Sequence, residues 1–440
     1  MWIGIDDTDS HLGGCTTYLA GRILCSLDEL GVQLIGFPRL VRLNPNIPWK
    51  TRGNGAVSFQ IGLGKGKPKK IGYVHGKTIH SYPSSKLIEV EESILEDIKD
   101  VLIDKVHVHA RLADEQTNPG IVVTSNQFDE IIYWDAVQKI MKKEEMITHI
   151  NNQNGWYHGF KNGRGVIGAT ASIAWKGVHD STFELIAYRK KERWGTKRNI
   201  DEQSVIHMDA QYPSTFDNFD RENEHVNIMP HSPCPVLFGI RGDDPSVLQQ
   251  CMKGIKTESF EDWLIFSSNQ GTDDHLIPES IQNVQPFQSV IVKGEVKTKP
   301  VTIPGGHVIF SLADKTGAVM DCAAYEPTKQ FREIVRQLEP GDVVKVSGGV
   351  RSEPFTVNLE KIEILQLKEV FLKVENPVCP VCGKHMKSIG KNQGFRCKKC
   401  KTKVDCCVIE KKLRGIKKMM YEVPVCARRH LSKPIKRMKK

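Results

Sequence analysis

Two hydrophobic periods alternate along the chain. The opening MWIGID is a short apolar run that reads as a strand, and CTTYLAGRILCSLDELG then sets Leu19, Ala20, Ile23, Leu24 and Leu27 at helical spacing. VQLIGFPRLVRL and AVSFQIGLG have strand character, SSKLIEVEESILEDIKD helical character, and KVHVHARLAD and PGIVVTS strand character again. GLGKGKPKKIG is a basic, glycine-rich hairpin or loop. Residues 1–125 thus read as one α/β unit.

A helix, FDEIIYWDAVQKIM, leads into a second region, where GVIGATASIAW, TFELIAYR, PVLFGIRG and DWLIFSSN read as strands and DPSVLQQCMKGI as a helix. This order predicts a ferredoxin-like α+β sandwich over 126–280, with the polar stretch from about 195 to 232 as an insertion or substrate loop. Over 285–370, SVIVKGEVKTKP, HVIFSLADKTG, AVMDCAAYE, GDVVKVSGGVRS and VNLEKIEILQL read as five strands. One helix, TKQFREIVRQL, stands between the third and fourth, the order of an OB-fold barrel that binds single-stranded nucleic acid; an SH3-like barrel is the competing reading.

Composition changes this picture little, since 39% hydrophobic and 26% charged residues over 440 positions are ordinary for a multidomain folded protein. The first ten residues hold three aspartates and no basic side chain, unlike a signal or transit peptide, and no apolar run reaches membrane-spanning length; a cytoplasmic protein is expected. Charge changes more. From Cys379 to Lys440 there are 20 basic and three acidic residues, a net of +17, which leaves −7 for the preceding 378 residues out of +10. An acidic body with a basic end suits a protein that holds a polyanion, although a solubilising tail has the same composition.

Seven of the twelve cysteines lie in that last stretch. Cys379, Cys382, Cys397 and Cys400 are spaced C-x2-C-x14-C-x2-C, two knuckles whose thiolates suit a structural, tetrahedral zinc. A redox role needs only one such pair. Cys406, Cys407 and Cys426 are left over as core thiols, and the five scattered cysteines are expected to be reduced core residues.

Asp6, Asp7 and Asp9 crowd the end of the opening strand, just before HLGG and a helix N-terminus. Carboxylates that close repel unless a cation sits among them, and a helix N-terminus favours phosphate, so magnesium bridging to a phosphate is one reading. Helix capping and turn formation is the other. Lys50, Arg52, Gly53, Asn54 and Gly55 in PWKTRGNGAVSF let backbone and cations approach a phosphate, or make an Asn-Gly hairpin turn. No Walker motif is present, so any ATP site is of another type. NQGTDDHL (269–276) places Asp273, Asp274 and His275 at a turn or a cation site, and ERWGTKR (192–198) suits base stacking or a solvated hairpin.

GIDDTDS, CTTYLA, GFPRLVRLNPNIPWKTRGNGAVSF, GATASIAW and NQGTDDH, in this order and followed by the barrel and the cysteine knuckles, resemble the archaeal isoleucine-tRNA agmatinylcytidine synthetases over nearly the whole chain. The resemblance implies a kinase-like catalytic domain (1–125), a ferredoxin-like domain (126–280), an OB-fold (285–370) and a zinc ribbon with its basic tail (376–440). It implies an ATP-dependent ligase that replaces the 2-oxo group of the wobble cytidine in the CAU-anticodon isoleucine tRNA with agmatine, through a phosphorylated cytidine, while ATP is split to AMP and pyrophosphate. Asp6, Asp7 and Asp9 would then handle magnesium and phosphate, Thr16 would match a threonine that becomes phosphorylated, and Lys50 and Arg52–Gly55 would contact the nucleotide. Asp114, Glu115, Asp209 and Asp273 are the acidic candidates for agmatine. Two other functions compete: a metal-dependent nuclease using the same aspartates, and a non-catalytic RNA-binding protein.

Overall fold

The computed structural model describes residues 1–51, 53–86, 92–390 and 393–438. One eleven-stranded mixed sheet runs through the first 270 residues. Strand Trp2–Asp6 lies between Gly55–Gly62 and Gly120–Thr124, antiparallel to both. Strand Gln33–Arg42 is the seam, because it pairs with Gly55–Gly62 on one side and, in parallel at Arg39 and Leu40, with Phe260–Ser268 on the other. Strands Val236–Gly242, Thr182–Arg189 and Phe260–Ser268 continue the sheet antiparallel.

Helix Thr16–Glu29 forms where expected and buries Leu19, Ala20, Ile23, Leu24 and Leu27 against this sheet. Two expectations fail. KVHVHARLAD is not a strand; its first half ends helix Glu92–His109, and residues 87–91 of the expected helix lie outside the described residues. The V-H-V-H alternation imitates a strand, but Ile98, Leu102 and Val106 are buried four residues apart while Val108 is 64% exposed. GVIGATASIAW is helix Val166–Ala174. Every residue but the partly buried Ile167 is buried, so its sequence carries no amphipathic stripe. Its small residues instead let it press onto the sheet: a Cβ on Gly4 would lie 2.3 Å from the Ala169 carbonyl oxygen, and one on Gly120 2.0 Å from the Val166 nitrogen.

The stretch read as an insertion contains helix Glu202–Gln211 and short strands. The barrel follows the predicted order. Strands Ser289–Val296, Val308–Ala313, Val319–Ala324, Thr356–Gln366 and Val343–Val350 pair in succession and close on the first, as an OB-fold does. A two-stranded stalk, Phe371–Glu375 with Val408–Lys411, carries the cysteine module away from the barrel. The chain then returns. Met420–Glu422 adds a strand to Thr356–Gln366, and the described segment after it comes back to the main sheet, where Arg437 pairs with Asp180 and Asp243. Among the described residues no helix is long and apolar enough to cross a membrane.

Candidate active site

A cleft of about 520 Å³ opens where the first strand ends. Asp6 closes that strand, and Asp7 turns the chain in the left-handed region (φ 57°), which an aspartate tolerates. Asp7 Oδ2 accepts from Arg164 Nη2 at 2.7 Å and Nε at 3.2 Å, and from the Asn118 N–H at 3.3 Å. Asp9 Oδ1 accepts from the Thr51 hydroxyl at 3.1 Å. Asp6 lies under the small-residue helix, where a Cβ on Gly168 would fall 1.9 Å from its Oδ2. Burial, then the Asp7 and Asp9 charges, hold the Asp6 carboxyl well above its usual range. With Asp7 committed to Arg164, the oxygens of Asp6 and Asp9 are those suited to a hard divalent cation, which takes oxygen ligands and offsets such repulsion.

Gly13 and Gly14 have positive φ (141° and 75°) and swing the chain from the aspartates into helix Thr16–Glu29. Cys15 is its N-cap without a side-chain capping bond, and the positive end of a helix favours an anion. Thr16 lines the cleft, and its Oγ1 is 3.0 Å from the donor Oγ1 of Thr8.

The other walls are cationic. Lys50, Gly53, Asn54 and Gly55 line the cleft, whereas Arg52 lies outside the described residues. Asn54 and Gly55 do not form a two-residue hairpin, since residues 43–54 join the two strands; Asn54 Nδ2 instead ties the loop to the Asn44 carbonyl at 2.8 Å. Burial, then Arg429, lower the Lys50 ammonium to about 8. Arg42, Arg241 and His430 complete this side, with Glu184 the buried carboxylate among them.

The zinc-site cysteines form a separate centre. Their four sulfurs lie within 4.8 Å of one another, close enough to share one tetrahedral ion, as the four-thiolate donor set suits zinc.

Four matches cover the chain: the TiaS TCKD domain (residues 2–161), the TiaS FLD domain (163–275), an OB-fold nucleic acid binding domain (290–365) and the TiaS C-terminal zinc ribbon domain (376–416). An isoleucine-tRNA 2-agmatinylcytidine synthetase, TiaS from Archaeoglobus fulgidus, is 44% identical over 444 residues, 100% of this chain and 97% of that protein. The chain belongs to the TiaS family. The TiaS of Methanocaldococcus jannaschii is 42% identical, over 99% of this chain and 98% of its own. Among solved structures, a complex of TiaS with isoleucine tRNA and ATP superimposes with TM-score 0.84 at 42% identity, covering 99% of this chain and 97% of that one. A complex of TiaS with isoleucine tRNA, AMPCPP and agmatine gives 0.82 at 39%, covering 100% and 97%.

Within this TiaS-family fold, Asp6, Asp7, Asp9, Thr16, Lys50, Gly53, Asn54 and Gly55 come together in one cleft. NQGTDDHL is a junction. Asn269 bonds both backbone groups of Arg42, Asp273 meets Lys361, and buried His275 meets Glu360 of the barrel at 3.0 Å. Trp194 of ERWGTKR is turned inward, donating to the Arg189 carbonyl and packing edge-on against Tyr18. None of Asp114, Glu115, Asp209 and Asp273 lines the cleft. Arg42, Arg164, Glu184, Arg241 and His430 do, and sequence reasoning missed them. Arg42 falls inside the GFPRLVRLNPNIPWKTRGNGAVSF stretch. The other four are single polar residues on strands, loops and the returning tail without a motif of their own; for these the buried carboxylate in TFELIAYR was the available signal.

Proposed function

We infer that this chain is an ATP-dependent ligase that joins agmatine to C2 of the wobble cytidine of the CAU-anticodon isoleucine tRNA and forms agmatidine. The observation that carries the reading is one cleft in which three aspartates, an uncapped helix N-terminus and a cationic loop converge, in a chain that matches a named isoleucine-tRNA 2-agmatinylcytidine synthetase end to end. Cytosine's 2-oxygen is a poor leaving group. Phosphorylation by ATP makes that oxygen part of a phosphate, a good leaving group. The agmatine amine then attacks C2, the C2–O bond breaks, phosphate departs and the nitrogen gives up a proton.

The chain's own groups divide this work. Asp6 and Asp9 would hold magnesium, which supplies charge that offsets the phosphate oxygens. Arg164 keeps Asp7 turned into its present place. The helix N-terminus and Lys50 receive phosphate oxygens, and Thr16 stands at that N-terminus as a phosphoryl acceptor. The barrel and zinc ribbon hold the tRNA, and an anticodon loop lets its wobble base leave the stack at small cost. The tRNA substrate and the free thiols support a cytoplasmic location.

The deciding experiment incubates purified protein, transcribed CAU isoleucine tRNA, magnesium and labelled agmatine with and without ATP, then examines digested nucleosides by mass. Agmatine on the anticodon cytidine only with ATP is expected; tight tRNA binding without incorporation would favour an RNA-binding protein. Thr16→Val is expected to slow the reaction about a hundredfold or more, and turnover at the wild-type rate would leave Thr16 a helix residue only.

A further inference from the structure

We propose that Asn46 is a positioning residue through which the barrel sets the loop that carries Lys50, Thr51 and Gly53 into the cleft. The proposal rests on the reading that agmatine is joined to the tRNA in this cleft, and it adds a residue that lies outside the cleft.

The loop of residues 43–54 has two ends of different chemistry. At one end Lys50, Thr51, Gly53 and Asn54 line the cleft, and the Thr51 hydroxyl donates to Asp9 Oδ1 at 3.1 Å. At the other end Asn46 stands against the barrel. Its Nδ2 lies 3.3 Å from the Phe287 carbonyl oxygen, 2.9 Å from that of Gln288 and 2.8 Å from the Ser289 hydroxyl. Its Oδ1 accepts from Arg429 Nη1 at 2.5 Å. Buried Asn44 braces it, accepting the Asn46 N–H at 2.9 Å and donating to the Phe287 carbonyl at 3.1 Å. Pro48, Trp49 and Lys50 are exposed, so polar contacts at Asn46 and Thr51, rather than apolar burial, hold this part of the loop.

The barrel is shaped to receive the Asn46 side chain. Gly349 is buried on strand Val343–Val350, and a Cβ there would fall 2.3 Å from Asn46 Oδ1 and 2.6 Å from Arg429 Nη1. Phe287, whose carbonyl takes both asparagines, has φ 68°, a region costly to a bulky residue. Arg429 in turn meets Glu360 at 3.4 Å, and Glu360 is held by His275. The loop is also a thin partition, because Ile47 and Lys50 line both the cleft and a cavity of about 750 Å³ on the barrel side. Misplacing cleft groups by about 1 Å can cost a hundredfold in rate, and five residues separate the Asn46 foothold from Thr51.

Full-length Asn46→Ala, Gly349→Ala and the double variant would be compared with wild type in agmatine incorporation, tRNA filter binding and hydrogen exchange. Asn46→Ala is expected to lower kcat about tenfold or more, with KM for tRNA and tRNA affinity within about twofold of wild type. Gly349→Ala enters the same contact from the barrel side and is expected to do likewise. The double variant should be no slower than Asn46→Ala, because the missing amide leaves room for the new methyl. Amide exchange at Thr51 and Gly53–Gly55 should quicken in each single variant while the barrel strands keep wild-type protection. Unchanged kcat in folded Asn46→Ala protein would overturn the proposal and leave Asn46 an interface residue only. So would a loss of tRNA affinity as large as the loss of kcat, or single-variant losses that multiply in the double. If Asn46→Ala does not fold, Gly349→Ala is read alone by the same criteria. Wild-type protein that incorporates no agmatine would instead overturn the functional reading, and the exchange rates would still decide whether Asn46 seats the loop.

Discussion

Asp6 and Asp7 show how one turn divides like residues between roles. Asp7 is anchored by two Arg164 nitrogens, whereas Asp6 is pressed between its own neighbours and the Gly168 backbone. Asp9→Asn or Asp6→Asn is expected to reduce ATP-dependent agmatine incorporation by about two orders of magnitude with little change in melting temperature, as measured by initial rates and thermal scans. A second residue-scale prediction concerns the buried His275–Glu360 pair. Burial opposes ionisation of Glu360, but His275 and Arg429 outweigh it and hold the carboxyl at about 2, below its usual 4.5. The sign is that of a depressed acid: its stabilisation is present above pH 4.5 and is lost as pH falls through about 2. Glu360→Gln is expected to cost about 3 kcal/mol at pH 7 in urea unfolding and to flatten the stability profile between those two pH values.

At the scale of elements, the site depends on helix Val166–Ala174 lying almost in contact with the first strand. Gly168→Ala would put a methyl into the Asp6 carboxylate, and Gly4→Ala one into the Ala169 carbonyl. Each is expected to destabilise by about 1–3 kcal/mol in denaturant unfolding. Gly168→Ala should also lose activity beyond its stability loss, because it displaces Asp6. The elements legible in the sequence were those with one buried face: helix Thr16–Glu29 has an apolar stripe, and the barrel strands have strand-length apolar runs between turns. The helix mistaken for a strand has no exposed face, and a segment buried on nearly every side carries no period to read.

At the scale of the molecule, part of the basic C-terminal charge turns inward. Arg414 meets Asp342, Arg428 meets Asp217 and Glu422, and Lys433 and Arg437 meet Asp180. Lys384, Lys387, Arg396, Lys398, Lys399, Lys401 and Lys403 on the zinc ribbon stay exposed and are the ones placed to meet phosphates. Excising the ribbon at its two-stranded stalk, while keeping residues after 416, is therefore expected to weaken tRNA binding and flatten its dependence on salt, because fewer counterions are released. An unchanged salt slope in filter binding would contradict this. Chelating zinc, or replacing Cys397 by Ser, is expected to unfold the ribbon while leaving the barrel intact, as read by proteolysis.

What the sequence by itself determined were features carried by neighbours along the chain: the cysteine knuckles, the aspartate run before a helix, the glycine loop and the strand order of the barrel. Each is local, because a metal knuckle, a turn or a hydrophobic period is complete within a few residues. Only the tertiary structure decided that Arg42, Glu184, Arg241 and His430 share a wall with that loop, and that residues 426–430 return from beyond the ribbon to complete the cleft. Those residues lie up to 388 positions apart, and nothing in a one-dimensional pattern brings them together; packing of the tail through Arg437, and of the sheet at its Gln33–Arg42 seam, does.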